Sequence, residues 1–193
     1  MINLIIIFLS FLFTVGATPY FINFLFKFNI VNKPNGEDRH IHTKPTPRLG
    51  GIIIIAVILS ITFTFYHDIY TKIFFLAGAF IIFGLGLLDD IRSIKWHIKF
   101  LVQSVAVVLF IISLNEYHYP IIKFAYYTLP YGLNYGVLFV LILGILNSFN
   151  LMDGLDGLVT GFSLIIASMC FLLSIYSPST FLPYLSSAII GTT

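Results

Sequence analysis

Charge is what this sequence has least of. Only 9% of its 193 residues are Asp, Glu, Lys or Arg, against about 25% in an average soluble domain. With 59% hydrophobic residues and a mean hydropathy of +1.00, that shortage excludes a water-soluble globule and makes the chain an integral membrane protein. There is one cysteine, Cys170, so neither a disulfide framework nor a cysteine-built metal centre can form within the chain. It lies in an apolar run and reads as a small hydrophobe. The formal net charge is only +2, too little to argue for a nucleic-acid partner. A basic stretch is missing from the N-terminus as well. Val15-Gly16-Ala17 resembles a signal-peptidase site, but Met1-Ile2-Asn3 carries no basic residue and the apolar run continues to Phe26, so a retained first helix is expected.

What is there is a series of apolar runs. A spanning helix needs about 20 such residues. The runs predict spans over Ile2–Phe26 (with a kink at Pro19), Leu49–Tyr66, about Ile73–Leu88, Phe100–Asn115, Tyr135–Asn147 with a start further upstream, and Val159–Tyr176. Leu182–Thr193 reads as the opening of a seventh. Twelve residues make a helix of about 18 Å, short of the roughly 30 Å hydrocarbon core, so the sequence is expected to be the N-terminal part of a longer protein. The fold expected is all-α, a single transmembrane domain over residues 1–193, a polytopic helix bundle of about six spans and the start of a seventh. Glu116–Asn134 is rich in tyrosine, which suits a membrane interface.

The basic residues set the orientation. Loops after spans one, three and five (about 27–48, 89–99 and 147–158) hold Lys27, Lys33, Arg39, Lys44, Arg48, Arg92, Lys95 and Lys99; the other side holds only Lys72 and Lys123. That bias places the first set in the cytoplasm and the N-terminus outside. His67, Asp68, Glu116 and His118 then fall on the outer side as loop residues. On the inner side lie Asp89-Asp90 and the stretch Asn147–Leu158, N-S-F-N-L-M-D-G-L-D-G-L.

That stretch sets two amides, Asn147 and Asn150, and two carboxylates, Asp153 and Asp156, at a constant spacing of three. Each step of three turns an α-helix back by about 60°, so neighbours share a face. The glycines at 154 and 157 predict that the chain leaves the helix near Leu151–Gly154, and the four groups then surround a pocket. Oxygen ligands of this type suit Mg²⁺, with Mn²⁺ an alternative. A capped turn would use the same residue types. Asp89 and Asp90 repel one another and face the negative end of a helix dipole, so stability gives no reason for them; a divalent cation or basic residues would. A solvated acidic helix end is the plainer alternative. The first cytoplasmic loop offers Arg39, His40, His42, Lys44 and Arg48 to phosphate oxygens, and Gly50-Gly51 allows close backbone approach. An ordinary positive-inside loop accounts for those basic residues but not for the glycines. Lys99 and Gln103 lie four apart at the start of the fourth span, where snorkelling is the alternative.

P-R-L-G-G at the second span, G-L-L-D-D at the end of the third, Lys99 with Gln103, and N-S-F-N-L-M-D-G-L-D-G-L together resemble the polyprenyl-phosphate N-acetylhexosamine-1-phosphate transferases over essentially all 193 residues. The resemblance implies a Mg²⁺-dependent transfer of a sugar-1-phosphate from a UDP-N-acetylhexosamine to polyprenyl (undecaprenyl) phosphate, releasing UMP and starting O-antigen, teichoic-acid or peptidoglycan synthesis. It implies that Asp89 and Asp90 deprotonate or position the lipid phosphate, that Asn150 lies at or near the metal with Asp89 and Asp90, and that Asp153 and Asp156 are the nucleotide-side carboxylates. Arg39 and His42 match the family's basic loop; Lys44, Arg48, Lys99 and Asn147 complete the expected substrate-binding set. P-R-L-G-G and G-L-L-D-D-I-R look more like the relatives that use UDP-N-acetylglucosamine. A plasma (inner) membrane location and a possible homodimer go with the same resemblance.

Asn32 stands where many relatives have Asp, and His40 where Lys is common. The family's pattern runs to about ten spans of about 20 residues each and includes a Gly-Asp-x-Gly-Ser segment and a histidine-containing loop. Neither segment occurs in these 193 residues, so they alone are expected to lack a complete metal site and to be inactive. Two other functions compete: a secondary transporter, which would set its carboxylates near mid-bilayer on broken helices, and a non-catalytic remnant of the transferase.

Overall fold

The computed structural model describes residues 1–28, 30–32, 46–47, 50–92, 94–114, 123–124, 127–152, 157–176 and 181–193. Seven helices account for nearly all of them: α1 Ile2–Lys27, α2 Gly51–Phe65, α3 Ile69–Ile91, α4 Trp96–Ser113, α5 Tyr131–Met152, α6 Leu158–Ser174 and α7 Leu182–Thr192. The remaining elements are two-residue strands in antiparallel pairs, β1 Val31–Asn32 with β2 Thr46–Pro47, and β3 Lys123–Phe124 with β4 Tyr127–Thr128. The expected all-α membrane fold is what forms. Four helices, α1, α3, α4 and α5, are long and apolar enough to cross a bilayer; α2 and α6 are apolar but shorter. At 23 residues α3 is about 34 Å long, sufficient for the hydrocarbon core. The chain is a multi-pass membrane protein.

Three helix ends reach into the loops expected at about 89–99 and 147–158. α5 runs on to Met152, so Asn147 and Asn150 stand on the helix and not in a loop beginning at 147. No glycine or proline interrupts N-S-F-N-L-M, and the helix stops just ahead of Gly154. Likewise α3 carries Asp89 and Asp90 in its last turn and α4 already includes Lys99, which leaves a connection of four residues, 92–95, where a loop over 89–99 is expected. α1 continues through Val15–Ala17 and through Pro19.

The chain divides into two compact units, Met1–Phe63 with Ser163–Thr193, and Thr64–Phe162. In the first, α1 packs on α7 through small side chains. Ser10 of α1 and Ser186, Ser187, Ala188 and Gly191 of α7 are buried. A Cβ on Gly191 would lie 2.8 Å from the Ser10 Cβ and would overlap the Ile7 carbonyl oxygen. Small residues let helix backbones approach where there is no hydrophobic drive between helices, lipid tails being as apolar as leucine. The buried hydroxyls are satisfied within their own helix: Ser186 donates to the Leu182 carbonyl at 2.5 Å and Ser187 to Pro183 at 2.7 Å.

In the second unit α3, α4 and α5 pack in sequence. Gly78 of α3 faces α4 so closely that a Cβ would sit 3.1 Å from the Ala106 carbonyl oxygen. Phe75 meets Phe110 with ring centroids 6.1 Å apart. Between α4 and α5 the core is Val107, Ile111 and Leu143, flanked by Tyr135, Phe139 and Leu146. Lys99, Gln103, Val107 and Ile111 follow at intervals of four along α4, which is one face of a helix. That face is apolar at its C-terminal half and polar at its N-terminal half. Asp68, expected as an ordinary loop residue, caps α3: it accepts from the Thr71 N–H at 2.6 Å and from the Thr71 hydroxyl.

Candidate active site

The polar half of that α4 face is where three helices meet. The short 92–95 connection turns α4 back against α3, so the C-terminal end of α3 lies beside the N-terminal end of α4. The Arg92 backbone is extended, with φ −141° and ψ 121°, and so is Lys95. Asp89 secures the turn. Its Oδ1 accepts from the Ile94 N–H at 3.0 Å and its Oδ2 from Lys99 Nζ at 2.7 Å. Lys99 Nζ also donates to Asn150 Oδ1 of α5 at 2.8 Å. One ammonium therefore joins residues 10 and 51 positions away in sequence. The side chains of Lys99 and Asp89 are 17% and 29% exposed, so the pair is sheltered but not sealed. Hydrogen bonds to charged groups contribute about 1.5–3 kcal/mol each, enough to hold three helix ends in register.

Asp90 is one residue further round α3 and exposed. Asn147 is on α5 one turn before Asn150, and its Nδ2 donates to the Leu143 carbonyl of its own helix at 3.0 Å. The structure thus gathers Asp89, Lys99 and Asn150 at one point and engages Asn147 along α5. Asp153 and Asp156, and Arg39, His42, Lys44 and Arg48, lie outside the described residues. Gly157, closing the D-G-L-D-G sequence, has φ +76°, a left-handed backbone that glycine adopts without the Cβ penalty; its carbonyl accepts the Gly161 N–H at 2.9 Å and so opens α6.

Gln103 does not share the Lys99 cluster. It is 5% exposed, and its Oε1 has no hydrogen-bond partner. An unpaired acceptor in such a place costs free energy.

The set fits a cation. A carboxylate oxygen from α3 and an amide oxygen from α5 converge on a single positive nitrogen, and these are hard oxygen donors of the kind magnesium takes. Among the described residues no cluster of three or more His, Cys, Asp or Glu side chains would hold a metal unaided, so a divalent ion at this point would need further ligands, as magnesium commonly takes from waters and substrate phosphates.

The sequence model of Glycosyl transferase family 4 matches residues 72–193, a segment that contains the whole α3–α4–α5 cluster. A probable undecaprenyl-phosphate N-acetylglucosaminyl 1-phosphate transferase of Bacillus subtilis (strain 168) is 32% identical over 206 aligned residues, covering 100% of this chain and 54% of that protein. The phospho-N-acetylmuramoyl-pentapeptide-transferase of Clostridioides difficile (strain 630) is 31% identical over 95% of this chain and 62% of its own length. That of Staphylococcus carnosus (strain TM300) is 32% identical over 95% of this chain and 64% of its own. The chain thus spans between half and two thirds of the length of these relatives.

Proposed function

Because this chain belongs to glycosyl transferase family 4, we propose that it carries the α3–α4–α5 part of a site that transfers a sugar-1-phosphate from a UDP-sugar to a polyprenyl phosphate. The observation that carries the reading is the meeting of Asp89, Lys99 and Asn150 at one end of three consecutive helices. One reactant is soluble and the other is anchored in lipid, so their site belongs at a helix end, at the membrane surface. A phosphate oxygen of the lipid attacks the β-phosphorus of the UDP-sugar. The new P–O bond forms as the bond to the oxygen bridging the α- and β-phosphates breaks, and UMP leaves with that electron pair. Such a reaction needs positioning and charge neutralisation more than covalent help.

In this reading Asp89 and Asp90 position the lipid phosphate, Lys99 supplies positive charge to a phosphate oxygen, and Asn150 fixes the Lys99 side of the pocket. A Mg²⁺ or Mn²⁺ ion would be held by Asp89, Asp90 and Asn150 and would neutralise charge on the diphosphate. Asp153 and Asp156 would face the nucleotide, with Asn147 on the substrate side. Arg39, His42, Lys44 and Arg48 would meet phosphate oxygens from the first loop. The charge bias of the loops supports a cytoplasmic site in the plasma membrane, with the N-terminus outside. P-R-L-G-G and G-L-L-D-D-I-R support N-acetylglucosamine-1-phosphate as the group transferred. The placing of Asp89 in the last turn of α3 and Lys99 in the first turn of α4 weighs against a transporter, whose acids would lie near mid-helix.

The test uses membranes from cells expressing the full-length gene to which this chain belongs. Supplied with UDP-N-acetylglucosamine, undecaprenyl phosphate and Mg²⁺, they are expected to form lipid-linked diphospho-sugar and UMP in equal amounts. Membranes that form neither, while a relative assayed in parallel forms both, would overturn the assignment.

A further inference from the structure

Lys99 has a peculiar place in this site. Its ammonium lies 2.7 Å from the Asp89 carboxylate and 2.8 Å from the Asn150 amide oxygen, the two oxygens that converge from α3 and α5. The nitrogen thus stands where a cation bound by those oxygens would stand. Magnesium takes oxygen ligands at about 2.0–2.1 Å, so it cannot bind both oxygens while the ammonium remains between them, and two positive charges at such range repel strongly. Lys99 has a flexible four-carbon stem and three rotatable donors, is 17% exposed, and begins in the first turn of α4, where it can swing outward without unwinding the helix.

We infer that Lys99 is an exchangeable internal counter-ion: it holds the Asp89–Asn150 oxygen pair in place of a divalent cation, and binding of that cation releases its ammonium toward phosphate. The inference rests on the transferase reading for what the released ammonium then meets, but the exchange itself does not. The resting pair keeps Asp89 and Asn150 in register while the metal is away. Metal and phosphate then bind in a coupled way, because the ion that claims the oxygens also frees the charge that attracts the phosphate. Couplings between ligands typically amount to about 5–150-fold in affinity.

The exchange can be read in the unaltered full-length protein to which these residues belong. Purified in detergent, it is treated with an amine-acylating reagent with and without Mg²⁺, and modification of each lysine is followed by mass spectrometry. Mg²⁺ is expected to speed acylation of Lys99 several-fold, on the order of the lower couplings above, and to leave exposed Lys95, four residues earlier, unchanged. A second measurement titrates Mn²⁺ by electron paramagnetic resonance. Lys99→Met is expected to bind Mn²⁺ about tenfold more tightly than the wild type, within the same range of couplings. Lys99→Arg, which keeps a cation in place, is expected to stay near the wild-type affinity, and Lys95→Met controls for the lost charge. If Mg²⁺ leaves Lys99 acylation unchanged, or Lys99→Met binds Mn²⁺ no better than Lys95→Met does, the exchange is refuted. Neither readout involves sugar transfer, so a negative transfer assay would remove the proposed activity and leave this result standing.

Discussion

The α1–α7 pair and the α3–α4–α5 cluster satisfy polar groups in opposite ways. In the first, Ser186 and Ser187 return their hydrogen bonds to carbonyls one turn back on the same helix. Those hydroxyls say nothing to a neighbour, and their use is to be small. In the second, Lys99 directs its bonds across helices, to Asp89 and Asn150. Polar atoms satisfied within a helix serve close packing; polar atoms satisfied only between helices depend on tertiary structure and are open to exchange with a ligand. Asn147 and Asn150 draw the same line inside one helix, since Asn147 bonds back to Leu143 and Asn150 reaches Lys99.

The comparison can be broken at several points. The largest effect is expected from Asp89→Ala. It removes the acceptor of both the Ile94 N–H and the Lys99 ammonium, and leaving a sheltered charge without its partner should cost about 2–3 kcal/mol, somewhat below the 3–5 of a fully buried pair. Thermal or denaturant unfolding in micelles measures this, and the transfer assay should lose about a hundredfold or more, as for removal of one preorganised charge-stabilising group. Next, Gly191→Ala should force α1 and α7 apart and cost about 1–3 kcal/mol. Gly86→Ala, on α3 with open space around it, should instead gain up to about 1 kcal/mol in helix propensity. Opposite signs for one substitution, read as shifts in Tm, would confirm that close approach is required at Gly191 and not at Gly86. Asp68→Ala removes the cap of α3 and should cost about 1 kcal/mol. Smallest, Gln103→Leu deletes a buried acceptor that has no partner and should raise stability by about 1 kcal/mol or leave it level. A clear loss of stability would mean that its carbonyl oxygen is engaged after all.

Hydropathy made the helices easy to read in the sequence, because lipid leaves the backbone little choice but to satisfy itself. Helix ends were harder. The loop bounds of about 147–158 begin too early, whereas the glycines at 154 and 157, which predict an exit near Leu151–Gly154, agree with an α5 that runs to Met152. Likewise a loop over 89–99 begins too early, and Asp89-Asp90 stands in the last turn of α3. Eight basic residues against two make the cytoplasmic face the one expected for the site. The partnership of Lys99 was not legible. Its spacing from Gln103 pairs them on one face of α4, but the structure buries Gln103 and hands Lys99 to α3 and α5. A signal for this did exist: a connection of about four residues forces α3 and α4 antiparallel, which brings Asp89 beside the first turn of α4. The bond to Asn150 has no such local signature, since it depends on how α4 and α5 pack around Val107, Ile111 and Leu143. Asp68 does lie in the connection ahead of α3, and its capping role was legible too, since a carboxylate three residues before Thr71 at a helix start is a capping pattern.

The central claim is that Lys99 and Asn150 meet across two helices, while Asn147 bonds back within its own helix. A double-mutant cycle on unfolding free energy tests it directly. Lys99→Met combined with Asn150→Leu should give an interaction energy of about 1–2 kcal/mol, and Lys99→Met combined with Asn147→Leu should be additive to within about 0.5 kcal/mol. Additivity in the first pair, or a larger coupling in the second, would contradict it.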